Sequence, residues 1–326
     1  MIPSLLLAGG ALLCTIRWQA WFGMPEEPAW IQDTLDYVFP SITNQPSPIT
    51  NDNDSCLTIL VLGDIHSNLI AADYDTLAAR VPHTDLVLQT GDWLDRGQEY
   101  YRQLLLHEWT AGALYGTPVI TCPGNHEYTK GWNKTLSPVW AQTFGIPSDA
   151  NRLLNVPGLS YYVDIPQIRF IVMDTNPLGR LVWLTRTLTW LRKAIDTADG
   201  RYIVVLMHHP VLSPAKGRFN PLIYATFRYT IGDADLVLAG HDHSYMRRSP
   251  FVVLNTSGKP KEQRIRLFTP EVTETVPVYG VITVNERERS NSESGLTSNS
   301  PKNDLIFRIF SLESGELLDS VYVDHH

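Results

Sequence analysis

Short apolar runs in this chain repeatedly end on a compact cluster of Asp, Asn and His, and five such clusters stand out. They are Gly63-Asp64-Ile65-His66, Gly91-Asp92-Trp93-Leu94-Asp95-Arg96-Gly97, Gly124-Asn125-His126-Glu127, His208-His209-Pro210 and Gly240-His241-Asp242-His243. A short apolar run bounded by turn residues reads as a buried strand. Ligand-type side chains are therefore presented at strand ends. This confines the chain to folds in which strands far apart in sequence share one edge. In an open α/β sheet, the loops leaving the carboxyl ends of parallel strands converge on such an edge, and ligands bind there.

Residues 57–62, 86–88 and 118–121 are predicted strands, with helical patterns over 69–81 and 99–113 between them. The alternation of strand and helix implies parallel pairing and right-handed crossovers. Residues 161–165 and 169–173 form a predicted hairpin. Leu181, Leu184, Leu188, Leu191 and Ile195 recur at helical spacing, the signature of a core-facing stripe. Strands at 202–207 and 236–239 lead into the last two clusters. Three more strands, 276–284, 305–310 and 317–323, follow, with a polar loop at 286–303. These are expected to complete a second sheet facing the first across a shared core, not to form a separate domain.

A division into 1–22, 23–55 and 56–326 follows from composition. Residues 2–16 are apolar or small apart from Ser4 and Thr15, like the h-region of a secretory signal or a short membrane anchor. The stretch is shorter than the ~20 residues of a comfortable span, and Arg17 and Trp18 stand where small cleavage-site residues belong. Export or membrane association is preferred to the alternative, a buried N-terminal helix. Residues 40–55, rich in Pro, Ser, Thr, Asn and Asp, read as a tether. Residues 21–37 carry aromatics among acidic groups and either pack on the domain or lie at a membrane surface; the sequence leaves both open. Cys14, Cys56 and Cys122 match neither a zinc module nor a disulfide scaffold. The net charge of -8 opposes non-specific attraction to nucleic acid, so no nucleic-acid partner is expected.

The clusters carry the chemistry. Asp64 and His66 fall on the same side if the chain stays extended as it leaves its strand. Asp92, Asn125, His208, His241 and His243 add oxygen and imidazole donors. Carboxylate, amide oxygen and imidazole together suit two divalent ions of the Mn, Fe or Zn type. A central carboxylate can bridge metals ~3.5–4 Å apart, and Asp92 is the candidate. Two divalent ions against two carboxylates leave the site positive, which attracts a phosphate. Water held between the ions loses a proton near neutral pH and becomes the nucleophile. His126 could protonate the leaving alkoxide, Asp95 could orient that imidazole, and Arg96 could hold phosphate oxygens through its planar fork. The competing structural readings are a satisfied polar histidine for any one of these residues and an ordinary surface ion pair for Arg96. Arg247 and Arg248 read as a solvated face, Cys122 as a small core residue, and His107, His325 and His326 as uninvolved in chemistry.

In this order, the clusters resemble the signature of the calcineurin-like metallophosphoesterase superfamily, from Leu57 to the C-terminus. The resemblance implies an α/β fold of two mixed β-sheets packed as a sandwich and flanked by helices, with a dinuclear centre. It implies one metal on Asp64, His66, Asp92 and His243, and another on Asp92, Asn125, His208 and His241, with His208 preferred to His209. The Gly91-to-Gly97 block is similar to Gly-Asp-x-x-Asp-Arg-Gly of the Ser/Thr phosphoprotein phosphatases. The stretch Gly240-His241-Asp242-His243-Ser244-Tyr245-Met246-Arg247-Arg248 looks more like acid phosphatases, as does the segment from Tyr161-Tyr162 to Asp174 after Trp140 and Phe144. Purple acid phosphatases carry a tyrosine where this chain has Asp95 and lack a histidine at the place of His66, so no iron-tyrosinate centre is expected. The implied function is hydrolysis of phosphomonoesters on a phosphorylated small molecule. A phosphodiesterase or Ser/Thr protein phosphatase-like enzyme is the alternative, and a metal-binding scaffold without turnover is the non-enzymatic one.

Overall fold

The computed structural model describes residues 56–129, 135–146, 150–154, 158–176, 181–264, 268–286 and 303–325. The signal-like segment 1–22, the linker 23–55 and nearly all of the predicted polar loop after residue 286 lie outside the described residues.

In chain order the elements begin with β1 (Cys56–Leu62), α1 (Ala71–Arg80), β2 (Leu86–Gln89), α2 (Glu99–Ala111) and β3 (Val119–Thr121). Then come α3 (Pro138–Thr143), β4 (Asn151–Arg152), β5 (Tyr161–Asp164), β6 (Ile168–Met173), α4 (Leu181–Asp196), β7 (Tyr202–Met207), α5 (Pro221–Ile231) and β8 (Leu236–Ala239). The chain closes with β9 (Tyr245–Arg248), β10 (Phe251–Val253), β11 (Val272–Glu274), β12 (Val278–Glu286), β13 (Asn303–Ser311) and β14 (Leu317–Val323).

Two mixed sheets result, ordered β14-β13-β12-β1-β2-β3 and β11-β9-β10-β8-β7-β6-β5-β4. Strands β1, β2 and β3 are parallel, as the alternation with helices predicts. Strands β6, β7 and β8 form a second parallel trio, and β5 pairs with β6 as the predicted hairpin. The five clusters follow β1, β2, β3, β7 and β8, so each sheet delivers ligand-type residues from the carboxyl ends of its parallel strands. At that edge Asp64 and Asn255 form a parallel bridge between the segments following β1 and β10.

The C-terminal strands depart from expectation. They do not build the second sheet: β12 pairs antiparallel with β1 over Cys56↔Asn285 to Leu62↔Tyr279, and β13 and β14 continue outward from it. The physical reason lies in β1, which would otherwise leave a row of backbone N–H and C=O groups unpaired on its side away from β2. The second sheet is instead drawn from residues between Asn151 and Glu274.

Period-two alternation divides the packing. On β7, Val204 and Leu206 join the main core, while Ile203, Val205 and Met207 face the other way. That outer face is covered by Leu184, Leu191 and Ile195 of α4 and by Ile223, Phe227 and Ile231 of α5. The leucine stripe read from the sequence thus docks its helix on the sheet. Tyr74 and Leu77 of α1 and Leu105 and Trp109 of α2 pack into the main core with the first sheet. Each fully buried aliphatic or aromatic side chain contributes roughly 1.5–3 kcal/mol relative to exposure. Trp93, in the loop after β2, meets Trp109 edge-on at 5.5 Å and Phe144 at 5.1 Å, anchoring the loop that carries Asp92.

Candidate metal centre

The loops leaving the strands do not stay extended. His66, Asp92, His241 and His243 have φ of 53°, 55°, 70° and 50°, a region that non-glycine residues rarely enter. This corrects the extended geometry expected of Asp64 and His66, which meet through a turn. Such residues cost about 1–3 kcal/mol each and persist where surrounding contacts over-determine them. Here the N–H groups of Ile65 and His66 donate to the Asp92 carbonyl at 3.0 and 2.9 Å. The His241 N–H donates to the Asp64 carboxylate, 3.0 and 2.9 Å from its two oxygens. Two glycines allow this closeness: a Cβ at Gly124 would lie 2.2 Å from Asp92 Oδ1, and one at Gly240 would lie 2.7 Å from Asp64 Oδ2.

All seven sequence-predicted ligands come together in two groups that share Asp92. In the first, His66 Nε2 is 3.1 Å from His243 Nε2, 3.9 Å from Asp64 Oδ1 and 3.8 Å from Asp92 Oδ2. The ligand atoms of Asp64, His66, Asp92 and His243 all lie within 4.8 Å of one another. In the second, His208 Nε2 is 3.2 Å from Asp92 Oδ2, 3.1 Å from Asn125 Oδ1 and 3.2 Å from His241 Nδ1. The other nitrogen of His208 faces the Thr90 carbonyl at 3.0 Å, which fixes the ring.

Burial and mutual charge shape the electrostatics. Burial raises Asp64 to about 7, with repulsion from Asp92 adding to it. For Asp92, burial acts upward but is outweighed by His208, whose charge and hydrogen bond hold this carboxyl well below its usual range. His208 moves the other way, to about 9: burial lowers it, and Asp92 with Asp64 overcomes that. Burial lowers His66 to about 4 and His243 to about 3, and depresses His241 further still. The low values leave His66, His241 and His243 neutral, which is the form that binds metals, whereas the raised His208 gives up its proton in order to bind one.

The donor set fits divalent metal ions. Two fully buried carboxylates and four buried imidazoles share one pocket, an arrangement that costs several kcal/mol unless a cation compensates the charge. No thiolate is present in the groups, which sets the centre apart from structural zinc sites.

Around this centre the other predicted residues take distinct places. His126 stacks edge-on against His66 at 4.5 Å, and its N–H donates to Asp92 Oδ1 at 2.8 Å. Its Nδ1 meets the backbone carbonyl of Asp95, whereas the Asp95 carboxylate is 3.9 Å away. The carbonyl therefore orients the ring, and the Asp95 carboxylate stands 3.7 Å from His66 Nδ1. Arg96 is half-exposed, with Nε 3.9 Å from Asp95 Oδ2. His209 also brings a ring nitrogen within 4.8 Å of donor atoms of His208 and His241, packs on His241 at 4.4 Å and hydrogen-bonds Thr175 Oγ1 at 2.8 Å.

Sequence reasoning assigned no role to Glu127, Arg218, Lys261 or Asp242. Glu127 is buried and accepts N–H donors from Asp92, Leu94 and Gly124 at 2.9, 2.9 and 2.6 Å. Burial and the nearby Asp92 push it up to about 8. Its place in the Gly124-to-Glu127 cluster was a usable signal. Arg218 and Lys261 sit in polar loops with no motif around them, so nothing in the sequence singled them out.

The family comparison agrees with this geometry: residues 57–245 match the model for calcineurin-like phosphoesterases. This chain belongs to the calcineurin-like phosphoesterase family. Among solved structures, it is similar to GAP50, described as the anchor in the inner membrane complex of Plasmodium, at 14% identity and a TM-score of 0.56. That alignment covers 83% of this chain and 89% of GAP50. It is also similar to the purple acid phosphatase PPD1 from yellow lupin (Lupinus luteus) seeds, at 12% identity and a TM-score of 0.54. There 83% of this chain is covered against 54% of the lupin protein, so the chain spans about half of that relative. At such identities the likeness is one of fold. A search of curated proteins gives no match.

Proposed function

We propose that this protein hydrolyses phosphomonoesters of small molecules at a dinuclear centre. The observation that carries the reading is the position of Asp92, whose Oδ2 is within 3.8 Å of His66 Nε2 and 3.2 Å of His208 Nε2, between two donor groups. When bound, two ions of the Mn, Fe or Zn type would supply a Lewis acid for the phosphoryl oxygens and acidify water. Asp64, His66, Asp92 and His243 would hold one, and Asp92, Asn125, His208 and His241 the other. His126, adjacent to Asn125 and packed on His66, delivers a proton to the leaving oxygen. The Asp95 carbonyl fixes its Nδ1, which leaves Nε2 for that transfer. Asp95 in place of a tyrosine speaks against a purple centre.

The likeness to a protein described as an anchor keeps a second reading in view, a scaffold that binds metals and turns over nothing. Purified full-length protein supplied with Mn decides. Turnover of p-nitrophenyl phosphate at least about tenfold above bis-p-nitrophenyl phosphate is expected, equivalent to about 1.4 kcal/mol of preferential stabilisation. Two bound metals with neither ester hydrolysed would install the scaffold reading; diester preference would make the protein a phosphodiesterase. Residues 2–16 suit export or membrane association. Among the described residues, no helix is long and apolar enough to cross a membrane.

A further inference from the structure

After β10 the chain runs through Asn255-Thr256-Ser257-Gly258-Lys259 and wraps the backbone around Asp64. Asn255 pairs with Asp64 as a parallel bridge, and the N–H groups of Ser257 and Gly258 donate to the Asp64 carbonyl at 2.8 and 3.2 Å. The Thr256 hydroxyl accepts the Gly63 N–H at 2.7 Å and donates to the Val278 carbonyl at 3.0 Å. The Ser257 hydroxyl donates to the Ile65 carbonyl at 2.6 Å, and Asn68 Nδ2 donates to the Ser257 carbonyl at 3.1 Å. Gly63, Asp64 and Ile65 are thereby all tied to this one turn.

The far end of the turn holds His243, whose Nδ1 lies 2.8 Å from the Lys259 carbonyl. A carbonyl only accepts, so Nδ1 carries the proton and the lone pair is left on Nε2. That nitrogen is the one turned to the centre, 3.1 Å from His66 Nε2 and 3.6 Å from Asp64 Oδ1. Pro260 follows Lys259 and biases it toward extended backbone, which favours one direction for the carbonyl. Gly258 sits between the two ends. Its φ is not positive, so no left-handed backbone calls for glycine there. Space does: a Cβ would lie 2.6 Å from Asn255 Oδ1, 2.9 Å from His243 Nδ1 and 3.0 Å from His243 Cε1. These contacts reach Asp64 and His243 but not Asn125, His208 or His241. His208 is fixed instead by the Thr90 carbonyl.

We propose that residues 255–259 are the positioning element of one metal position alone, that of Asp64, His66, Asp92 and His243, and that Gly258 is the residue on which it turns. The proposal rests on the two-ion reading of the centre, and adds that the two positions are set by separate parts of the chain. The turn acts on both kinds of donor at its position: it fixes the backbone that carries the Asp64 carboxylate, and it fixes the tautomer and direction of the His243 ring. Outer partners of this kind change metal affinity by about 10–100-fold. A side chain at residue 258 would push His243 away from the Lys259 carbonyl, and with it the nitrogen that faces the ion.

The test is a titration of metal-free full-length protein with Mn, with bound metal counted by mass spectrometry and tightness read by chelator competition. The parent is expected to hold two ions. Gly258→Ala should hold one as the parent does and the other about tenfold or more weaker. Ser257→Ala removes one hydroxyl without crowding the turn and should weaken the same ion by about fivefold, the scale of one neutral hydrogen bond. It decides alone if Gly258→Ala does not fold. Combining Gly258→Ala with Asn125→Ala should leave neither ion tightly bound, because the two changes strike different positions. Gly280→Ala, whose Cβ would lie 2.8 Å from Phe307 Cε2, should lower the unfolding midpoint with both ions retained. Parental affinity for both ions in folded Gly258→Ala overturns the assignment, and so does equal weakening of both ions in either turn variant. A parent that binds two ions yet hydrolyses neither ester sinks the hydrolase reading and leaves the turn standing. Ester turnover by the parent, with both ions weakened alike in Gly258→Ala, does the reverse.

Discussion

The Glu127 carboxylate accepts the backbone N–H of Asp92 at 2.9 Å, behind the face that Asp92 turns toward His66 and His208. Leu94 and Gly124 donate to the same carboxylate at 2.9 and 2.6 Å. Three buried donors thus converge on one acceptor, and they hold Asp92 at its positive φ of 55°. Glu127→Gln replaces one acceptor oxygen with an NH₂ that points donors at donors. The expected loss is about 1–3 kcal/mol of unfolding free energy, the cost of a buried N–H left without a partner. Metal affinity should fall with it, because the carboxylate of Asp92 loses its fixed direction. Urea unfolding together with metal titration checks this; a variant with parental stability and parental metal affinity would show that Glu127 does not position the loop.

This contact also marks what the sequence could and could not convey. The seven candidate ligands were legible because each stands at the end of an apolar run, and strand ends converge whatever the details of the loops. The helix stripe from Leu181 to Ile195 was legible for a similar reason: periodicity reports a buried face directly. The pairing of β12 with β1 was not, because hydrophobic alternation says which face of a strand is buried and nothing about which neighbour it joins. The backbone at His66 was misread as extended, since the hydrogen bond from its N–H to the Asp92 carbonyl is a tertiary contact that overrides local preference. Arg218 and Lys261, which meet His241, were invisible because a cation in a loop is usually solvated, and the bridge between residues 215 and 263 that joins their loops is a tertiary contact.

Among the described residues, Asp92 is the carboxylate whose Oδ2 stands near both His66 Nε2 and His208 Nε2, and this makes it the most informative single deletion. Asp92→Ala is expected to lose both metals together, whereas His243→Ala and Asn125→Ala each remove a ligand from one group only. Metal-to-protein ratios from mass spectrometry on the three purified variants separate the cases. Retention of the full complement by Asp92→Ala would remove its assignment as the bridge.

His126 donates its backbone N–H to Asp92 and belongs to neither of the two groups around Asp92, although His66, Asp95 and His126 also bring ligand-type atoms within 4.8 Å of one another. His126→Ala should therefore leave metal content within about a fifth of the parent value while lowering turnover by about 10²–10⁴, the usual contribution of a positioned acid. The effect should grow as the leaving group becomes a poorer one, since a good leaving group departs without a proton. A series of aryl and alkyl phosphates measures it. Equal loss across the series would reassign His126 to a structural role.

Far from the centre, Arg247 on β9 reaches across to Asp319 on β14, tying the strand next to the edge of one sheet to the edge strand of the other. Its Nε and Nη2 are 2.6 and 3.1 Å from the two carboxylate oxygens, and the Tyr245 hydroxyl donates to Asp319 at 2.6 Å. Burial acts to raise Asp319, but the bonds from Arg247 and Tyr245 outweigh it and hold the carboxyl below its usual range. A depressed carboxyl contributes stability that is fully present above the unfolded-state pKa of ~3.9 and is lost as pH falls through the folded value. Asp319→Asn leaves Arg247 with Glu271 as its remaining carboxylate partner, and about 1.5 kcal/mol of destabilisation is expected at pH 7, the scale of a lost hydrogen bond to a charged group. The gap between parent and variant should then narrow as the pH drops below ~4, because protonating Asp319 removes from the parent the same interaction that the substitution removes. Urea unfolding of both proteins at pH 7 and pH 3 measures the two gaps. A gap of equal size at both pH values would mean that the charge of Asp319 contributes nothing and that shape alone holds β9 to β14.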